Sequence, residues 1–185
     1  MTNFDVGMFI DHCVHAVDTS DDPLKAISKI MSAAMRDPMA VEKQLPIQGE
    51  DKLLLHHCEK LTIYRVIVYH GLQYPPHDHG IPVVIGAYSG YATNVLYART
   101  PVEPARIQSI GLLNMHAGQV RTLRAESIHA VTNGRAQPSA AIHVYVGDLH
   151  AQNCSLWTLE GESECTFEIS EYNRRARRLA ISIVA

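Results

Sequence analysis

The chain has 185 residues, 46% of them apolar and 19% charged, with a formal charge of −3; these are the proportions of one globular domain with a core of its own, not of a disordered chain. The charge is scattered, and the dense basic stretch "RRARR", Arg174 to Arg178, reads as a solvated surface segment, so no nucleic-acid partner is expected. No apolar run reaches the ~18 residues that a membrane span needs, and the start "MTNFDVGMFIDHC" lacks the marks of a signal peptide; with four widely spaced cysteines that read as free thiols (Cys13, Cys58, Cys154, Cys165), the expectation is a cytoplasmic protein with no membrane partner.

Residues 1–48 read as helical. In "DDPLKAISKIMSAAMRDP", Asp22 can cap a helix that has Pro23 in its first turn, and Leu24, Ile27, Ile30, Met31, Ala34 and Met35 share one face at helical spacing. Asp37 and Pro38 repeat the signal for a further short helix. From residue 52 the texture changes to short β-rich runs bounded by Gly, Pro and Asn: "LTIYRVIVYHG", "IPVVIGAYSG", "YATNVLYAR", "IQSIGLLN", "QVRTLR", "AIHVYVGDL" and "CSLWTLEG". Such runs without intervening helices predict an antiparallel sandwich or barrel over residues 49–160. Residues 161–185 form a C-terminal extension, in which "ISEYNRRARRLAISIVA" is open between a short helix and a last strand. No repeat or linker divides the chain, so residues 1–185 are read as a single domain.

Two clusters carry chemistry. Gly71 is followed after five residues by His77 and His79, which are expected to open a strand that Gly90 ends. Residues i and i+2 of a strand face the same way, so both imidazoles can reach one ion. With 11 histidines in the chain, a lone His-x-His pair is unremarkable as evidence. A second cluster further on, Gly118 followed by "ESIHAVTN" with His129 and Asn133, changes the odds, since two matches in the right order are far rarer than one.

Together these residues resemble the two motifs of the cupin superfamily: glycine, His-x-His and a later glycine, then glycine, His and Asn. The glutamate ligand usual in the first motif is missing, its places being held by Val83 and Val84, and Arg124 and Glu126 replace the usual proline and glycine of the second. A three-histidine set remains. With "PPHDHG" leading in and "AIHVYVGDL" following, the pattern looks like the cysteine-dioxygenase-like branch, the thiol dioxygenases of bacterial type. The resemblance implies a mostly β cupin jelly-roll barrel (a double-stranded β-helix) with N-terminal α-helices. It also implies Fe(II) at His77, His79 and His129, and O₂ and a small thiol of the cysteine or 3-mercaptopropionate type as substrates. Three imidazoles suit a facial non-haem Fe(II) site, and zinc or nickel could occupy the same nitrogens. Such barrels often pair, so a homodimer is possible.

The resemblance further implies a catalytic role for Tyr145, which would offer its hydroxyl to bound oxygen or thiolate, with His143 orienting it. A serine that usually completes this relay falls at Ala141, and the cysteine that mammalian-type enzymes crosslink to the tyrosine falls at Val84. The arginine that clamps a substrate carboxylate in relatives has no clear counterpart: Lys52 lies near its place, and Arg65 on the next strand is the other candidate. His56, His57, His70 and His116 read as structural or exposed, Asp78 as a turn or salt-bridge residue facing away from the metal, and Trp157 as core or pocket wall. Two other functions stay open, a C–C bond-cleaving metal-dependent cupin dioxygenase and a non-catalytic metal-binding cupin.

Overall fold

Asp5, Asp22 and Asp37 each begin a helix in the computed structural model, which describes residues 4–179. Their carboxylates accept from the amides of Met8, Lys25 and Ala40 at 2.8, 3.0 and 3.1 Å, satisfying amides that have no partner within the helix. The helices are α1 (Val6–Thr19), α2 (Pro23–Ala34) and α3 (Pro38–Gln44), with proline opening the last two as the sequence predicts.

Among the described residues twelve strands follow in chain order. They are β1 (Lys52–Cys58), β2 (Leu61–Val68), β3 (Leu72–Gln73), β4 (Val83–Ser89), β5 (Tyr91–Arg99), β6 (Ile107–His116), β7 (Val120–Leu123), β8 (Ile128–Asn133), β9 (Ser139–Tyr145), β10 (Ser155–Trp157), β11 (Glu164–Thr166) and, after helix α4 (Ile169–Arg175), β12 (Arg177–Arg178). One five-stranded antiparallel sheet runs β1-β2-β9-β4-β7 and the other β12-β3-β8-β5-β6, with β10 and β11 paired beside them. The chain passes back and forth between the two sheets, as from β4 to β5 and from β8 to β9, and so winds a double-stranded β-helix, the jelly-roll barrel expected from the sequence.

The helices cover the outer face of the first sheet. Phe9, Cys13, Ile27, Met31 and Val41 pack on Leu61, Ile63, Val84, Ile142 and Val144 in the largest buried cluster. Alternate residues of the same strands, Val83, Ile85, Ala87 and Tyr145, belong to the barrel interior. Burial on both faces explains why "IPVVIGAY" is an unbroken apolar run where a half-exposed strand would alternate. Gly86 faces α2: a Cβ there would run into Met31, with Cγ at 2.7 Å as well as the sulfur, so the close approach of helix to strand depends on that residue having no side chain.

Two expectations change. His77 and His79 do not open β4, which starts at Val83. They lie in the segment before it, where His77 forms isolated bridges with His129 and Leu156; Pro75, Pro76 and Pro82 have no amide hydrogen, so a regular ladder cannot run through. Nor is the C-terminal stretch an appendage. "ISEYNRRARR" contains both alternatives, helix α4 and then strand β12, which pairs with β3; β11 pairs with β10. Residues 180–185 lie outside the described residues. The strand β1, which had no run assigned to it, pairs along β2.

Gly86→Val should lower stability by about 1–3 kcal/mol, because the added methyls must displace the buried Met31 and Met35 side chains. Gly111→Ala, at a site with nothing within 4 Å of an added Cβ, should stay within about 0.5 kcal/mol; urea denaturation of the two variants checks the contrast.

Candidate metal centre

His77 and His129 exchange backbone hydrogen bonds, each amide donating to the other's carbonyl at 2.9 Å. That pair brings the segment before β4 against β8 and sets two imidazoles side by side, their ring centroids 4.6 Å apart. The ring of His79 lies 5.0 Å from each of them. One nitrogen from each of the three residues falls within 4.8 Å of the others, and all three side chains are buried.

Two of the rings are held in a definite tautomer. His77 Nδ1–H donates to the Pro75 carbonyl at 3.0 Å, and His129 Nδ1–H donates to Asn94 Oδ1 at 2.9 Å, leaving both Nε2 lone pairs free. His129 Nε2 and His79 Nε2 are 3.5 Å apart, the separation that two nitrogens about 2.1 Å from one ion adopt at an angle of about 110°. His79 Nδ1 is buried with no partner. Burial lowers the pKa of His77 to about 4, with Lys52 adding to the effect, and holds His79 and His129 well below the usual imidazole value, with neighbouring imidazoles adding to it. Neutral imidazoles are the ligand form. The donor set therefore fits a transition-metal ion, with three nitrogens and no carboxylate. Asp78, between the two histidines, instead accepts from the Ser155 amide at 2.9 Å.

The site opens into a cavity of about 560 Å³. His143 and Tyr145 share the inner face of β9 and both line it. Tyr145 lies 5.0 Å ring to ring from His79, and its oxygen is 3.3 Å from His143 Nδ1. Burial pushes the phenol pKa up and the His143 pKa down to about 3. Lys52 lines the cavity, with its ammonium 3.9 Å from the Tyr172 ring centroid, a cation–π distance; burial pulls its pKa down to about 8. Arg65 is the exception among the sequence candidates. It sits on the helix-facing side of β2 and donates to the Gln48 carbonyl at 3.1 Å, so it does not reach the cavity.

Several lining residues carried no signal that sequence reading used. Asn94, a buried amide inside the apolar run "YATNVLYAR", was findable as a polar residue on an inward position. Tyr74, Phe167 and Tyr172 were not: Tyr172 of α4 stacks on Tyr74 at 4.9 Å and 12° and meets His77 edge-on at 5.0 Å. Trp157 packs in the core with Ile107 and Ile128 and donates to the Ala105 carbonyl. Cys154 lines the cavity, its thiol pushed up to about 11 by burial. Among the described residues no helix is long and apolar enough to cross a membrane.

No protein-family model and no curated protein sequence matches the chain. Among solved structures it is similar to a conserved protein with a double-stranded β-helix domain from Klebsiella pneumoniae (12% identity, 63% of this chain and 87% of that one, TM-score 0.47). It is also similar to an RmlC-like cupin family protein from Methanocaldococcus jannaschii (15%, 56% and 87%, 0.45) and to the DMSP lyase DddQ from Ruegeria pomeroyi (20%, 70% and 70%, 0.48).

One equivalent of Fe(II) or Zn(II) should bind per chain, and His129→Ala should abolish it; Asn94→Leu, which strands His129 Nδ1, should weaken affinity about 10- to 100-fold. Equal metal content in the wild type and His129→Ala by elemental analysis would exclude the site. A second expectation concerns acid. Because the folded protein holds these histidines neutral while an unfolded chain protonates them near pH 6.5, stability is unaffected by them above pH 6.5 and is lost as pH falls below it, down to about 4 for His77 and onward for His79 and His129, by up to about 1.4 kcal/mol per pH unit for each one. The melting temperature of the metal-free protein should drop steadily across that window.

Proposed function

We propose that the protein is a mononuclear non-haem Fe(II) oxidoreductase of the thiol-dioxygenase type. What supports the reading is one arrangement: three neutral imidazoles without a carboxylate, converging beside a buried phenol in a cavity large enough for an organic substrate. The reaction balances without a further reductant. A thiol and O₂ give a sulfinate and a proton, both oxygen atoms ending on sulfur, which loses the four electrons that O₂ gains.

Iron held by His77, His79 and His129 would supply a common site for a thiolate and O₂. The chain's own residues define the rest. Neutral ligands leave the ion's full charge in place, which favours a thiolate over a neutral thiol. Tyr145 stays protonated, since its phenol pKa is raised by burial, and so presents a hydrogen-bond donor to an anionic partner. His143, as the Nδ1–H tautomer, would donate to that oxygen and leave the phenol proton free for the partner. Cys154 stays a thiol at neutral pH and so leaves the site to the incoming thiolate. Lys52 offers a cation to an anionic group of the substrate.

Anaerobically Fe(II)-loaded protein should consume O₂ with a thiol acid and form sulfinate in equal amount, and Tyr145→Phe should keep its iron while turnover falls about 100-fold. O₂ uptake with a diketone and not with thiols would point to C–C bond cleavage instead. No uptake with any substrate, at one iron per chain, would point to a non-catalytic metal-binding protein.

A further inference from the structure

The cavity extends past the histidines into the barrel. On the inner face of β9 the order is Tyr145, His143, Ala141, Ser139. In the ladder Ala141 stands opposite Val66 of β2 and Ala87 of β4, so a row of short side chains crosses the first sheet one step behind the row of Tyr64, His143 and Ile85. The second sheet answers with Ala92, Met115 and Val131. Small barrels are normally filled by side chains to close packing; here the layer behind the histidines is hollow. The whole cavity, from its outer wall to this layer, measures about 560 Å³, the size of sites for drug-sized ligands and far more than cysteine or 3-mercaptopropionate fills.

The polar groups narrow the class. Lys52 is the one Lys or Arg side chain lining the cavity among the described residues. The two lining carboxylates each accept a hydrogen bond, Asp51 from the Tyr74 hydroxyl at 2.9 Å and Asp78 from the Ser155 amide. We propose that the substrate is a mercapto acid that carries an aryl or branched alkyl arm, the arm filling the layer formed by Val66, Ala87, Ala92, Met115, Val131 and Ala141, and the acid resting on Lys52. The sulfur of this ligand rests on the thiol-dioxygenase reading; the arm and the acid rest on the cavity alone.

The experiment is calorimetric binding to anaerobic Fe(II)-loaded protein of 2-mercapto-3-phenylpropionate, 3-mercaptopropionate and the thiol-free 3-phenylpropionate. The aryl thiol acid should bind about tenfold or more tightly than 3-mercaptopropionate, from the apolar area it buries, and 3-phenylpropionate should bind without any thiol. Ala141→Leu should shrink the ratio between the two thiol acids towards one, and Lys52→Met should weaken 3-phenylpropionate about tenfold. Should Ala141→Leu fail to fold, Ala87→Val and a series of lengthening alkyl arms on the wild type make the same test. Equal affinity for the two thiol acids, or a preference that survives filling of the layer, overturns the proposal. O₂ uptake on the same ligands separates the two readings: an arm-dependent affinity lost in the filled variants, with no sulfinate from any thiol, upholds this ligand class and removes the thiol-dioxygenase reaction.

Discussion

The candidate centre depends on one pair of backbone hydrogen bonds, those exchanged by His77 and His129. Imidazoles on flexible segments would have to be gathered by the ion at an entropic cost. Here the backbone gathers them first. The His-x-His segment is held on both sides, by β8 through this pair and by β10 through Trp157 to Pro76 and Asp78 to Ser155. The carboxylate of Asp78 closes back on the Ser155 amide. Each side-chain nitrogen then has little to do but turn inward, and the Pro75 carbonyl and Asn94 fix that turn.

The first sheet shows how such a site is kept rigid. Its central strands β2, β9 and β4 are buried on both faces, against helices outside and the barrel interior within. Placing Tyr145 and His143 on β9 puts them at the middle of that sheet, between β2 and β4, where the backbone has least freedom to drift. Sites on such elements hold geometry better than sites on loops. The arrangement also separates duties along each strand: Val144 serves the helical layer while its neighbours serve the cavity.

Much of this was readable from residues. Asp-Pro pairs marked α2 and α3 because capping and the fixed φ of proline are local physics. The strands of the barrel appeared as apolar runs between turns, and the two histidine clusters stood out by type and spacing. What sequence hid was tertiary. That His77 and His79 precede β4 and do not open it follows from prolines that interrupt a ladder, and from a bridge to β8 that no local pattern encodes. The facing of Arg65 turned on which side of β2 the helices cover. Lys52 stands beside α4, whose Tyr172 ring lies against its ammonium, a neighbour far away in the chain. The hollow behind the histidines was written as alanines and serines, residues that look like filler until Ala87 and Ala141 are seen to stand side by side.

The cavity wall comes from two kinds of chain. The three histidines of the candidate centre sit on β8 and on the segment before β4 that bridges to it, whereas Phe167, Ile169 and Tyr172 belong to a short strand-helix-strand segment that is laid against the barrel through β10 and β3. Changes in that segment reshape the wall beside His77, whose ring Tyr172 meets edge-on, without touching a strand at the centre of either sheet. On the proposed reading, the outer wall of the cavity is thus open to variation by exchange of a few aromatic side chains in that segment, while its inner layer changes only with the central strands β2, β4 and β9.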